Sequence, residues 1–384
     1  MIEQYEVGVV LGLHHRCLGG YKSIFWLHAP DLMAGRGLRG LSLLVVALLS
    51  VGSAAYANQE YALNRVASTR HGVAYSVEVV DGLAYVTGND GVSVFDIGDP
   101  SQPRRVTTLE LADGAFGLQF VGSTAYVAGD EEGLFIVDFS DPGTPVILGV
   151  LDDGGTAYDL DIEGDVVYLA DITKGLEVVD VSDPGEPVKL SEYVLSDTRA
   201  VRARGDVVYL GNPSQGVVIL DASDTGNPTR IGVVAGSAPV IDINLRGDYM
   251  LVSCHGSGLK VYDISDPRNP SHMGSYIEPG GEAYSVEMHQ DRLYVADLQR
   301  GGLLLDFSDP SSIRKLSGYG NAAPHDLVYS DGYVFMACED GLVVLEYGPA
   351  QEVSETGYNH YVLPVAGVLA LVIGVLVYRK TSST

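Results

Sequence analysis

Lysine is nearly missing from this chain. It has six lysines beside 17 arginines, 50 acidic residues and a formal net charge of −27 over 384 residues. Neutralising phosphates takes a basic face, so this balance excludes a nucleic-acid-binding protein. It suits a solvated, self-repelling surface, such as a salt-adapted one. Cysteine is scarce too: Cys17, Cys254 and Cys338 are all there are. Their spacing excludes a zinc motif or a disulfide framework, and Cys254 and Cys338 pair only if the fold brings them together. Between the two ends no stretch shows a helical period. A Gly-rich phosphate loop, a nucleophile elbow and an H-E-x-x-H pair are absent as well, which removes the familiar catalytic signatures. What is plentiful is 47 Gly and 23 Tyr in a chain 46% apolar. Many turns and many aromatics without helical patterning indicate β structure.

The two ends read as targeting segments. In residues 33–57, Arg36 and Arg39 precede an apolar core from Leu41 to Val51, and Ala55-Tyr56-Ala57 is an A-x-A cleavage site. That is a secretory signal peptide; an uncleaved anchor is the alternative, disfavoured by the short core. Because the signal starts at Met33, a start there is an alternative to Met1, and residues 1–57 are expected to lie outside the mature fold. At the other end Tyr361–Tyr378 is an uncharged run of 18 residues. At 1.5 Å per residue it reaches roughly 27 Å, enough to span a bilayer. Tyr361 and Tyr378 suit the interfaces, and Arg379-Lys380 suits a cytoplasmic tail at 379–384. The expectation is a domain at 58–347 on the extracytoplasmic side, joined by a polar stalk (348–360) to a single transmembrane helix (361–378).

Between these ends one pattern repeats. An acid closes an apolar run at Asp96, Asp138, Asp180, Asp221, Asp263 and Asp306, with Glu346 as the last. The intervals are 42, 42, 41, 42, 43 and 40 residues, a period of propeller blades or helical solenoids. Content decides between them. In the third unit four β-type runs, at 157–162, 166–171, 176–181 and 188–195, are separated by Gly, Asp and Pro. A four-stranded sheet with two apolar faces needs a neighbour on each side, and a ring of such sheets provides both. The seventh unit ends after Tyr347 without a fourth strand, and residues 61–70 have the character to supply it. The expected fold is an all-β, seven-bladed propeller of four-stranded blades, closed by the N-terminal strand.

The units resemble the LVIVD repeat, through runs such as LFIVD (134–138) and LEVVD (176–180) with their flanking Ser-Asp-Pro turns. The resemblance covers about 61–347, with the fourth unit departing most. It implies a β-propeller on exported or surface proteins and no particular chemistry.

The recurring acids read as joints, because an Asp ending a strand accepts N–H bonds in the turn that follows. Tyr85, Tyr126, Tyr168, Tyr209 and Tyr294 read as core packing between blades. Function is expected where blades differ. First strands line a propeller's axis, which would bring Glu78, Asp159, Asp161, Asp242, Glu287 and Asp326 around Arg202. Clustered carboxylates suit a hard cation such as Ca²⁺, and a water-filled channel with solvated acids accounts for them equally. A second variable surface, the rim before first strands and after second strands, carries Lys174, Arg199, Cys254-His255, His325 and Cys338. Two functions follow as expectations. One is a membrane-anchored, extracytoplasmic scaffold that binds a protein or glycan of the cell envelope. The alternative is an extracytoplasmic hydrolase or lactonase-like enzyme using axial carboxylates and a metal.

Overall fold

The structure is a computed structural model, and it describes residues 61–349 apart from 71, 153 and 235–238. The expected signal peptide, the membrane helix and the cytoplasmic tail lie outside the described residues. Among the described residues no helix is long and apolar enough to cross a membrane.

Seven four-stranded antiparallel sheets follow the repeat. A first strand, β1 (Tyr61–Ser68), precedes the blades. Blade 1 is β2–β5 (Ala74–Val80, Leu83–Gly88, Gly91–Asp96, Arg104–Glu110) and blade 2 is β6–β9 (Leu118–Val121, Thr124–Ala128, Leu134–Asp138, Val146–Leu151). Blade 3 is β10–β13 (Ala157–Glu163, Val166–Asp171, Gly175–Asp180, Val188–Val194) and blade 4 is β14–β17 (Ala200–Arg204, Val207–Asn212, Gly216–Asp221, Thr229–Val234). Blade 5 is β18–β21 (Asp242–Arg246, Tyr249–Ser253, Leu259–Asp263, Ser271–Tyr276) and blade 6 is β22–β25 (Ala283–His289, Arg292–Asp297, Gly301–Asp306, Arg314–Tyr319). Blade 7 takes β26–β28 (Pro324–Ser330, Tyr333–Cys338, Gly341–Pro349) and completes itself with β1, in the order β1-β28-β27-β26. Innermost strands of successive blades contact one another around the axis, and β2 meets β26 to close the ring.

The closure strand is where the repeat requires it. Tyr61 pairs with Pro349 and Ser68 with Val343, with one bulge between Arg65 and Ala67. β28 therefore runs to Pro349, two residues past the expected domain end, because β1 offers a partner that far. Glu346 sits inside this strand opposite Asn64, so the seventh acid ends no strand.

The core lies between blades. Tyr85, Tyr126, Tyr168, Tyr209 and Tyr294 are all buried; Tyr85, for example, packs on Phe120 and Phe139 of the next blade at 4.4 and 5.1 Å. The turns are built as expected. Asp96, Asp138, Asp180, Asp221, Asp263 and Asp306 each end a third strand and accept the N–H two residues on, at 2.8–3.1 Å. The Asp three residues later repeats the device at 2.9–3.0 Å. The Ser223 hydroxyl and N–H hold the carboxyl of Asp221 below its ordinary range, the N–H and hydroxyl of Ser182 and Ser265 do the same for Asp180 and Asp263, and Ser308 with Arg314 takes Asp306 down to about 2. The turn also docks on the preceding blade. A Cβ at Gly149 in β9, or at Gly274 in β21, would run into the carbonyl oxygen of Pro184 or Pro310 in the next blade's turn.

Candidate functional site

The innermost strand of each blade is a sheet edge, so its axis-facing N–H groups need partners from outside the sheet. The axial acids supply them, from one blade to the next. Asp159 accepts the Val201 N–H at 3.0 Å and Asp161 the Ala203 N–H at 2.7 Å. Asp242 accepts from Val286 at 3.4 Å, and Glu287 from Tyr329. Asp326 accepts from Val77 at 3.1 Å, across the closure between blades 7 and 1. Between blades 1 and 2 the link is different: the buried Thr87 of β3 accepts the Ser76 N–H of its own blade through Oγ1 and donates across to the Phe116 carbonyl at 2.6 Å. Glu78 makes no hydrogen bond among the described residues.

The six acids expected to converge thus form two tiers. Asp159, Asp242 and Asp326 line the floor of a funnel of about 510 Å³, its open mouth included, at one end of the axis. Arg202 lies between two of them, 2.6 Å from Asp159 and 3.3 Å from Asp242. Asp326 also takes the hydroxyls of Ser76 and Ser285, both at 2.8 Å. Glu78, Asp161 and Glu287 follow two positions further along their strands. Burial pushes the carboxyls of Glu78, Asp242 and Glu287 up to about 7; the charge of Asp326 adds to it at Glu78, and Arg202 opposes it at Asp242. Burial also raises Asp161 and Asp326. Among the described residues no group of three or more His, Cys, Asp or Glu side chains is placed to hold a metal ion. Apart from Glu78, these carboxylates face backbone N–H groups, hydroxyls and a guanidinium.

Above the acids the funnel carries a further tier, of which the sequence pointed to Arg199 and His325 alone, as rim residues. Tyr75, Phe116, Tyr158, Tyr284 and His325 form an arc of rings with neighbouring centroids 4.5–5.5 Å apart. The Tyr158 and Tyr284 hydroxyls meet at 3.1 Å and close the arc across the axis. Arg199 and Ile241 fill the remaining two blades. Local structure sets this tier. In blades 3, 6 and 7 the ring residue is the extra residue of a β-bulge: Ala157 pairs with Asp171 and Asp159 with Ala170, leaving Tyr158 unpaired, and Tyr284 and His325 repeat this. Blade 1 shifts register between Ala74 and Val77, around Tyr75. A bulge re-aims one side chain without lengthening the repeat. The available signal was aromatic identity at equivalent positions of five units.

The other rim residues are structural. Cys254 and Cys338 are buried, unpaired with each other, and each thiol faces the main-chain carbonyl two residues before it, Val252 and Met336. Burial raises both thiols, Cys338 to about 12, so neither is a ready thiolate at neutral pH. Cys17 lies outside the described residues. His255 faces Glu282 at 3.5 Å, Arg199 holds Asp197 at 2.8 Å, and Lys174 lies 3.1 Å from the buried Glu177.

Seven stapled blades around a short polar axis, with the last blade assembled from both ends of the domain, define a closed β-propeller. Residues 71–109, 117–153, 154–194, 196–236, 235–278 and 280–319 match the LVIVD repeat model. The chain belongs to the LVIVD repeat family, and blade 7 lies beyond those six matches. Among solved structures it is similar to the computationally designed Ika8 protein, at 11% identity and a TM-score of 0.54 over 74% of this chain and 99% of that one. It is also similar to Sqt1 of Saccharomyces cerevisiae, at 9% identity and a TM-score of 0.57 over 75% and 100%. At such identities the likeness concerns the fold alone. No curated protein matches the chain in sequence.

Proposed function

We propose that this protein is a binding scaffold at the cell surface: an exported propeller, held at the membrane by the apolar run 361–378, that presents its funnel rim to a partner in the cell envelope. The supporting observation is how the recurring polar residues are used. Strand-end acids hold turns, and axial acids hold neighbouring blades together. A rigid disc with its polar groups so engaged is suited to display. The enzymatic alternative drew on free axial carboxylates, and most of those now have hydrogen-bond partners within the ring. Export and anchoring rest on the sequence, through the signal-like segment at 33–57 and the uncharged run before Arg379-Lys380.

The test is crosslinking on intact cells followed by mass spectrometry, with protease accessibility of the propeller from outside. A discrete crosslinked partner on an externally accessible domain is the expected result. A protease-protected propeller, or a chain recovered only with itself in a lattice, would overturn the scaffold reading.

A further inference from the structure

The funnel combines two things that its own hydrogen bonds leave unused: aromatic surface and negative charge. Most of its polar ring atoms are engaged elsewhere. The Tyr75 hydroxyl donates to Asn89 Oδ1 at 2.8 Å, His325 Nδ1 donates to the Ala74 carbonyl at 2.8 Å, and the Tyr158 and Tyr284 hydroxyls hold each other. The Ser76 and Ser285 hydroxyls donate to Asp326. A sugar or other polyol needs free donors and acceptors in a fixed pattern, and few remain. Charge is different: Arg202 pairs with Asp159 and Asp242, Asp326 has no ion pair among the described residues, and Arg199 at the mouth is paired with Asp197. Gly117 adds no side chain to the floor beneath Phe116. Anions are repelled by such a floor. A positive group is drawn both by carboxylates and by aromatic faces.

We infer that the aromatic half of the funnel, formed by Tyr284, His325, Tyr75, Phe116 and Tyr158 above Asp326, is a seat for an organic ammonium group. The group can come from a small quaternary ammonium compound or from a lysine side chain of a partner. Because four of the rings are fixed by hydrogen bonds and bulges and Phe116 packs between Tyr75 and Tyr158, the seat needs little reordering to bind. It deepens the binding reading and rests on it only for placing the ligand outside the cell.

The full-length chain in a maltoside detergent, free of choline headgroups, is titrated with tetramethylammonium, choline, Nα-acetyl-lysine amide and the neutral choline isostere 3,3-dimethylbutanol. Binding is read by saturation-transfer NMR and calorimetry. Saturable binding of at least one cation, absent for the isostere, is expected. Tetramethylammonium or choline binding assigns a small-molecule source, and binding of the lysine amide alone assigns a protein side chain. Tyr75→Leu with Phe116→Leu weakens binding by about threefold to thirtyfold, with an unchanged circular dichroism spectrum showing that the ring is intact. Three outcomes overturn the inference: no saturable binding of any cation, equal binding of the isostere, or binding that survives the double substitution. Since pure protein is used, failure here leaves the crosslinking result on cells untouched, and the reverse holds.

Discussion

Arg202 is held by Asp159 on one side and Asp242 on the other, with its side chain 21% exposed and theirs 19% and 16%. A guanidinium can bridge two carboxylates from different blades because its donors are spread in a planar fork. Replacing it leaves two largely buried carboxylates facing each other without compensation. Arg202→Met is therefore expected to lose about 3 kcal/mol of folding stability, measured as a lower urea midpoint. Arg202→Lys should recover part of the loss, since an ammonium keeps the charge but reaches fewer acceptors. An unchanged midpoint for Arg202→Met would show that the acids are screened by channel water. The same neighbourhood fixes the pH dependence. Glu78 and Glu287 move from 4.5, and Asp242 from 3.8, up to about 7 in the folded chain. Their folded forms hold protons that the unfolded chain releases, so their stabilising effect is complete below the unfolded values and is lost as pH rises through about 7. The turn acids act oppositely: the effect of Asp306, brought from 3.8 to about 2, is present above 3.8 and lost as pH falls toward 2. The melting temperature should thus be higher at about pH 5 than at about pH 8. In Glu78→Gln the difference should shrink; a melting temperature that climbs steadily to pH 8 would contradict this assignment.

At the scale of elements, β1 carries the closure. Its hydrogen-bonded pairing with β28 places the start and the end of the propeller in one sheet, and Leu63 is buried in the core between blades 6 and 7. Leu63 N–H also donates to Ser317 Oγ of blade 6 at 3.0 Å. Deleting residues 58–70 exposes an edge of β28 and empties that corner of the core. The expected result is a sharp fall in melting temperature with a rise in aggregation; equal melting of the two chains would mean that blade 7 closes without it. This element was legible in the sequence because a repeat that lacks one strand at its end needs one at its start. Third-strand boundaries were legible for a similar reason. An acid, a turn and a Pro within six residues interact locally, so the run expected at 176–181 appears as 175–180. Axial staples were not legible in the same way. Donor and acceptor lie 42 residues apart in Asp159–Val201 and Asp161–Ala203, so a unit read by itself shows the acid without the N–H it serves. The bulges left no mark either, since Tyr158 occupies an extra place in the ladder without changing the repeat length.

At the scale of the whole molecule, charge is the quantity that no single blade explains. The chain carries −27 in formal charge. Exposed turn acids are individually stabilised by N–H groups, yet they repel one another, and the axial acids add a buried negative centre. Mobile cations oppose this repulsion, with a screening distance that falls from about 10 Å at 0.1 M salt to about 3 Å at 1 M. Two contributions can be separated by pH. At about pH 8 Glu78, Asp242 and Glu287 are largely ionised, whereas at about pH 5 these three are largely protonated and the turn acids remain charged. Sodium chloride should therefore raise the melting temperature at both pH values, and by more at the higher one. In Glu78→Gln the two salt responses should draw together, because one axial charge is gone at every pH. The measurement is a thermal melt of the full-length protein at low and high salt, at both pH values, for wild type and variant. A salt response equal at the two pH values would place the repulsion wholly on the surface, and none at all would mean that the acids are compensated one by one where they stand.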